Sequence, residues 1–133
     1  PIYRIPVSLL LAGIASAALV ARAEPDLSKL PPASSKKPVT FAADIKPIFE
    51  KSCVKCHGAE KQKGKLRLDT LEATLKGGEN APNVKPGDSK NSTLVHTVAR
   101  LVEDEAMPPE GKGDPLTKEQ IGLIRAWIDQ GAK

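Results

Sequence analysis

Cys53-Val54-Lys55-Cys56-His57 is the stretch on which the reading of this chain turns. Two cysteines three positions apart, followed at once by a histidine, have the spacing of a c-type haem attachment site. That spacing sets both sulfurs where they can add to the two vinyl groups along one porphyrin edge. The imidazole is left to reach the ring centre as proximal iron ligand. Other chemistries use parts of the pattern and stay open as alternatives. A thioredoxin-like redox pair also shows Cys-x-x-Cys, but at the start of a helix after a strand, and here an apolar helical stripe precedes the pair. A structural zinc site takes four ligands, and no second Cys pair or Cys-His pair follows. A plain disulfide leaves His57 without a role.

A second axial ligand has few candidates. Met107 is the single methionine, 50 residues beyond His57, within Glu105-Ala106-Met107-Pro108-Pro109. A thioether suits ferrous iron and raises the potential relative to a His/His pair. The two prolines fix their own φ angles and stiffen the loop. An isolated methionine is ordinarily core filler, but this one stands in a Pro/Gly loop, off any apolar stripe. His96 is the rival. At helical spacing it lies about 160° from the centre of its helix's apolar stripe, which predicts a side chain facing solvent.

The remaining pattern is helical. Phe41, Ile45, Ile48 and Phe49 share one face at about 100° per residue, with Asp44 as expected N-cap and Pro47 in the first turn. Leu66-Arg67-Leu68 forms a short extended piece. Asp69 and Glu72 form a capping box for a helix that Gly77-Gly78 ends. A third helix starts at Ser92 and carries Leu94, Val95, Val98, Leu101 and Val102. Residues 103–113 hold two prolines and two glycines without periodicity, which marks a loop. Thr117 to Gln120 form a capping box for a last helix with Ile121, Ile124 and Ile128 in line, Leu123 and Trp127 widening the arc, and Gly131 closing it. The pattern predicts an all-α domain with long loops, and loops of that length in a small domain go with a site or a wrapped ligand.

The chain has 133 residues, 40% of them hydrophobic, room for one small domain and not for a two-domain enzyme. The apolar residues are unevenly spread, since 16 of the first 23 are hydrophobic and none is acidic. Arg4, an apolar run from Ile5 to Val20, and Ala21-Arg22-Ala23 predict a signal peptide over residues 1–23, and hence an exported, periplasmic protein. Its run of 16 falls short of the roughly 20 residues of a membrane anchor; membrane association follows only if the leader is kept. Residues 24–39, with four prolines, three serines and three lysines, predict a flexible linker. The folded domain is then residues 40–133. Without Arg4 and Arg22 the balance is 18 basic against 16 acidic residues, or +2, and no clustered basic face argues for nucleic acid. That domain's only aromatics are Phe41, Phe49 and Trp127, too few to fill its centre alone.

The motifs in their order resemble the monohaem domains called planctomycete-type cytochrome c, within the small His/Met c-type cytochromes. The landmarks are Asp44-Ile45-Lys46-Pro47-Ile48, Cys56-His57-Gly58, Leu66-Arg67-Leu68-Asp69, Gly77-Gly78, Pro86-Gly87-Asp88, Met107-Pro108-Pro109 and Trp127 to Ala132. The resemblance covers Phe41 to Ala132. It implies a cytochrome c fold, short helices and long loops wrapped around one covalently attached haem c, with the first and last helices crossing beside it. It implies Cys53, Cys56, His57 and Met107 as haem-binding residues, with His57 and Met107 on the iron. Leu66 to Leu68 become haem neighbours and Arg67 either a propionate partner or a plain surface charge. The expected function is that of a one-electron carrier and not an enzyme, cycling Fe(II)/Fe(III) between redox partner proteins. The alternatives are a haem enzyme or sensor with a labile Met ligand, reducing peroxide or binding a small ligand, and a haem subunit of a dehydrogenase or oxidase. The lysines around the motif are an ordinary solvated surface or a basic rim that steers acidic partners.

Overall fold

The computed structural model describes Ala18, Ala21, residues 23–80 and residues 82–133. The expected signal peptide lies outside these apart from three alanines. Among the described residues there are four α-helices, α1 (Lys46–Ser52), α2 (Leu71–Lys76), α3 (Thr93–Val98) and α4 (Lys118–Asp129), and no strand. The architecture is all-α, with one isolated antiparallel bridge between His57 and Gln62. No helix among them is long and apolar enough to cross a membrane.

The first helical segment begins earlier than Asp44. Thr40 is its cap, accepting from the Ala43 N–H through Oγ1 at 3.3 Å, while the Asp44 carboxylate accepts from the Thr40 N–H at 3.0 Å. Phe41–Ile45 is a π turn, closed by the Lys46 N–H donating to the Phe41 carbonyl, and α1 follows it directly. The wider turn carries the chain past Pro47, which has no N–H for a regular helical ladder. The apolar stripe keeps its sense, since Phe41, Ile45, Ile48 and Phe49 are all buried.

The last helix starts as its capping box predicts. Thr117 Oγ1 accepts from the Gln120 N–H at 3.1 Å, and Gln120 Oε1 accepts from the Thr117 N–H at 2.9 Å. Ile124, Trp127 and Ile128 are fully buried. The Trp127 ring lies 5.9 Å from Phe41 and 6.4 Å from Phe49, with 6.0 Å between the two phenylalanines. Two of these three pairs are edge-on, the arrangement the ring quadrupoles favour. The Trp127 indole N–H donates to the Lys133 carbonyl at 3.1 Å, and the Phe41 N–H donates to the same oxygen at 2.8 Å. The first and last helical segments are thereby fixed together.

Two helices depart from their sequence pattern. Thr70, not Asp69, caps α2 by accepting from the Ala73 N–H, because Arg67 holds the Asp69 carboxylate. The stripe expected to run to Val102 stops with α3 at Val98. Arg100 turns left-handed at φ 56, with its N–H on the Thr97 carbonyl and the Leu101 N–H on the His96 carbonyl. That pair of bonds is the Schellman closure of a helix end, so Leu101 and Val102 fall outside it.

Residues 30–39, part of the expected flexible linker, lie along α4. The Ser34 N–H donates to the Gly122 carbonyl at 2.9 Å. Gln130 binds both ways, accepting from the Val39 N–H and donating to the Lys36 carbonyl, each at 2.9 Å. Lys36 also pairs with Asp44. Backbone groups and polar helix residues make these contacts, which a count of apolar side chains does not register.

Trp127→Ala should lower unfolding free energy by about 3–5 kcal/mol, measured by denaturant titration of the mature protein. A loss under about 1 kcal/mol removes the ring cluster from its central place. The Lys36 ammonium and the Thr40 N–H hold the Asp44 carboxyl below its ordinary range. Its contribution is therefore complete above that range and lost as pH falls through the lowered value. Asp44→Asn should lower the melting temperature at pH 7 and narrow its difference from the value near pH 3; an unaltered difference means the pair contributes nothing.

Candidate functional site

The attachment motif is the continuation of α1. Cys53 caps the helix, its N–H donating to the Phe49 carbonyl at 2.8 Å. The chain then tightens, with the Cys56 and His57 N–H groups both on the Cys53 carbonyl, at 3.1 and 2.9 Å. Gly58 follows because a side chain does not fit: a Cβ there would lie 2.4 Å from the Val54 carbonyl oxygen. The next loop folds back on the motif through Lys63 N–H to the Cys56 carbonyl at 3.0 Å and Leu68 N–H to the His57 carbonyl at 2.8 Å.

That loop fixes the histidine. His57 Nδ1 lies 2.9 Å from the Lys63 carbonyl oxygen. A carbonyl only accepts, so Nδ1 carries the proton and Nε2 keeps its lone pair. Metal-binding imidazoles are ordinarily oriented in this way, one nitrogen held by an outer acceptor and the other left for the metal.

Cys53 and Cys56 are half-buried and not joined in a disulfide. Burial pushes the Cys53 thiol up to about 12, which disfavours the free thiolate that a thioredoxin-type nucleophile needs. Among the described residues no three His, Cys, Asp or Glu side chains gather to hold a metal ion.

The motif opens on a cavity of about 980 Å³, at the top of the roughly 300–1,000 Å³ range of small-molecule and cofactor sites. Cys53, Cys56 and His57 line it together with Leu66, Leu68, Leu94 and Val98. Met107 lines the same space from a loop held on both sides of the sulfur. The Met107 N–H donates to the Thr97 carbonyl at 3.0 Å, and the Arg100 guanidinium donates to the Pro108 carbonyl at 2.9 Å. The Met107–Pro108 peptide is cis. Two segments 50 residues apart in sequence thus border one hollow. Two unbridged thiols, an imidazole with one nitrogen committed, a thioether and aliphatic walls fit a covalently held haem.

Arg67 does not border the cavity. Side chains alternate along an extended piece, so Leu66 and Leu68 line the hollow while Arg67 grips Asp69 with Nε at 2.9 Å and Nη2 at 2.6 Å. His96 was expected in solvent, but it is half-buried and borders the cavity. Its Nε2 donates to the Lys90 carbonyl at 2.6 Å. The mouth is also not uniformly basic. Lys51, Lys55 and Lys63 border it beside the motif, and Asp104, Glu105 and Asp114 beside the methionine loop.

Thr97 and Arg100, the holders of the methionine loop, carried no sequence signal, since one acts through its carbonyl and the other through a left-handed backbone. The cavity contribution of residues 23–27 was hidden by their proline-rich surroundings.

No curated protein and no solved structure matches the chain. Residues 53–111, which run from the first cysteine through the methionine loop, match the family model described as Planctomycete cytochrome C.

Proposed function

We propose that this chain is an exported one-electron carrier with one haem c attached through Cys53 and Cys56 and held axially by His57 and Met107. The observation that carries the reading is the meeting of the Cys-x-x-Cys-His turn and Met107 on one cavity. When bound, haem c supplies one-electron exchange between ferrous and ferric iron. The chain's own groups do the rest. Cys53 and Cys56 tether, and the Lys63 carbonyl sets the His57 ring. Thr97 and Arg100 hold the methionine loop, while Leu66, Leu68, Leu94 and Val98 keep water from the walls. Were His57 and Met107 both to hold the iron, a small ligand would find no open coordination site, and on that ground the carrier is preferred to the peroxide-reducing or sensing alternatives. Residues 1–23 serve as the export signal in this reading, and donor and acceptor proteins dock at the cavity mouth.

The visible spectrum of protein matured in an exporting, haem-attaching host tests the first step. A c-type pyridine haemochrome is expected, and colourless protein with two titratable thiols sinks the proposal. Met107→Ala should leave attachment intact, lower the reduction potential and abolish the iron–sulfur charge-transfer band of the oxidised form. His96→Ala should change neither. The reverse pattern would assign the sixth position to His96.

Replacing both Cys53 and Cys56 by Ala should abolish cooperative thermal unfolding. An aliphatic hollow of about 980 Å³ without its filling leaves the domain short of buried apolar surface. A sharp melt in that double variant would show that the protein shell is stable by itself.

A further inference from the structure

We infer that residues 24–34 form a strap walling one side of the cofactor cavity, held in place by Gly122 and Arg125 of α4 as positioning residues. The inference rests on the haem reading above and concerns a segment outside the family match, which begins at residue 53.

Three residues of the strap, Glu24, Pro25 and Leu27, border the same cavity as the attachment motif and Met107. Leu27 is the one exposed large hydrophobe among the described residues, at 37%. An isolated apolar side chain on a surface needs no explanation, but this one stands at the edge of an apolar hollow. The local turn is built to present it. Asp26 caps residues 27–29 by accepting from the Ser28 N–H at 3.1 Å and the Ser28 hydroxyl at 2.6 Å, and Leu30 turns inward against the core.

The far end of the strap is fastened to one face of α4. Gly122 and Arg125 are one turn apart, so they share that face. Arg125 is buried, donating from Nη1 to the Pro31 carbonyl and from Nε to Ser89 Oγ, the latter at 3.1 Å. Gly122 is where the two backbones touch. A Cβ there would stand 2.7 Å from the Pro32 carbonyl oxygen, a contact that only displacement of the strap relieves. The Ser34 N–H closes the attachment on the Gly122 carbonyl. A segment needing only to connect would require neither a buried guanidinium nor a helix glycine beneath it. Both fit a segment whose position matters.

Such a wall acts on the cofactor through water. Solvent reaching the iron favours the more highly charged ferric state and so lowers the potential, and it opens a path for small reagents.

The test compares the mature full-length holoprotein with two variants, Gly122→Val, which pushes the strap off by contact, and deletion of residues 24–33. Potential, rate of reduction by ascorbate, and hydrogen exchange of the Ser34 amide are measured. The strap predicts that both variants keep the c-type spectrum, shift the potential downward and are reduced several-fold faster. The Ser34 amide should lose its protection in Gly122→Val. Wild-type potential and rate in the deletion variant overturn the inference, whatever Gly122→Val does. Loss of the c-type spectrum already in the wild type would instead overturn the haem reading, so the two failures are distinguishable.

Discussion

The structure depends on where its three large rings go. Trp127, Phe41 and Phe49 all stand in one cluster at the crossing of the first and last helical segments. Burying large rings is the most effective stabilisation available to so small a domain, and placing all three at one point fixes α4 on the helix that ends in the attachment motif. The consequence lies on the other side of α1. No ring remains for that half, and what faces inward there is aliphatic, Leu66, Leu68, Leu94 and Val98 around a hollow. The distribution of rings makes one half of the domain a protein core and the other half a receptacle.

How much of this was legible depends on which interactions carry it. The last helix was readable because its start signal, Thr117 with Gln120, and its apolar spacing agree and are both local. The first was readable in its face and not in its start. Pro47 was taken to mark the first turn, while a π turn lets the helix run through it from Phe41. α3 lost its last turn to Arg100, whose left-handed backbone no propensity forecasts for a non-glycine residue. At the site, Cys53, Cys56, His57 and Met107 stand out in the sequence because their chemistry is specific to their types, and the structure brings them to one cavity. Of the two roles open to Arg67, the sequence could not choose, and in the structure its partner is the acid two residues on.

The candidate ligands are positioned by backbone oxygens. The Lys63 carbonyl orients the imidazole, while the Thr97 carbonyl and the Arg100–Pro108 contact locate the methionine loop. Backbone acceptors are set by the fold and not by side-chain rotamers, so they cost little further conformational entropy when the site forms. The loops on either side of the cavity are long because each must fold back to offer a carbonyl. The same long loops would be a weakness in a domain with a filled core.

The buried polar network behind α4 ties these parts together. Arg125 and Asp129 are one turn apart on α4, and Ser89 joins them. Its hydroxyl accepts from Arg125 Nε at 3.1 Å and donates to Asp129 Oδ2 at 3.0 Å, while its N–H reaches Asp129 Oδ1 at 2.9 Å. A buried guanidinium with no compensation is costly, and here Ser89 and the Pro31 carbonyl both accept from it. Two chain segments therefore meet on one face of α4, the helix that carries Trp127: the strap and the 89–91 turn that leads into α3. Since the strap and α3 both border the cavity, displacing either segment from Arg125 or Ser89 disturbs the wall that the other builds.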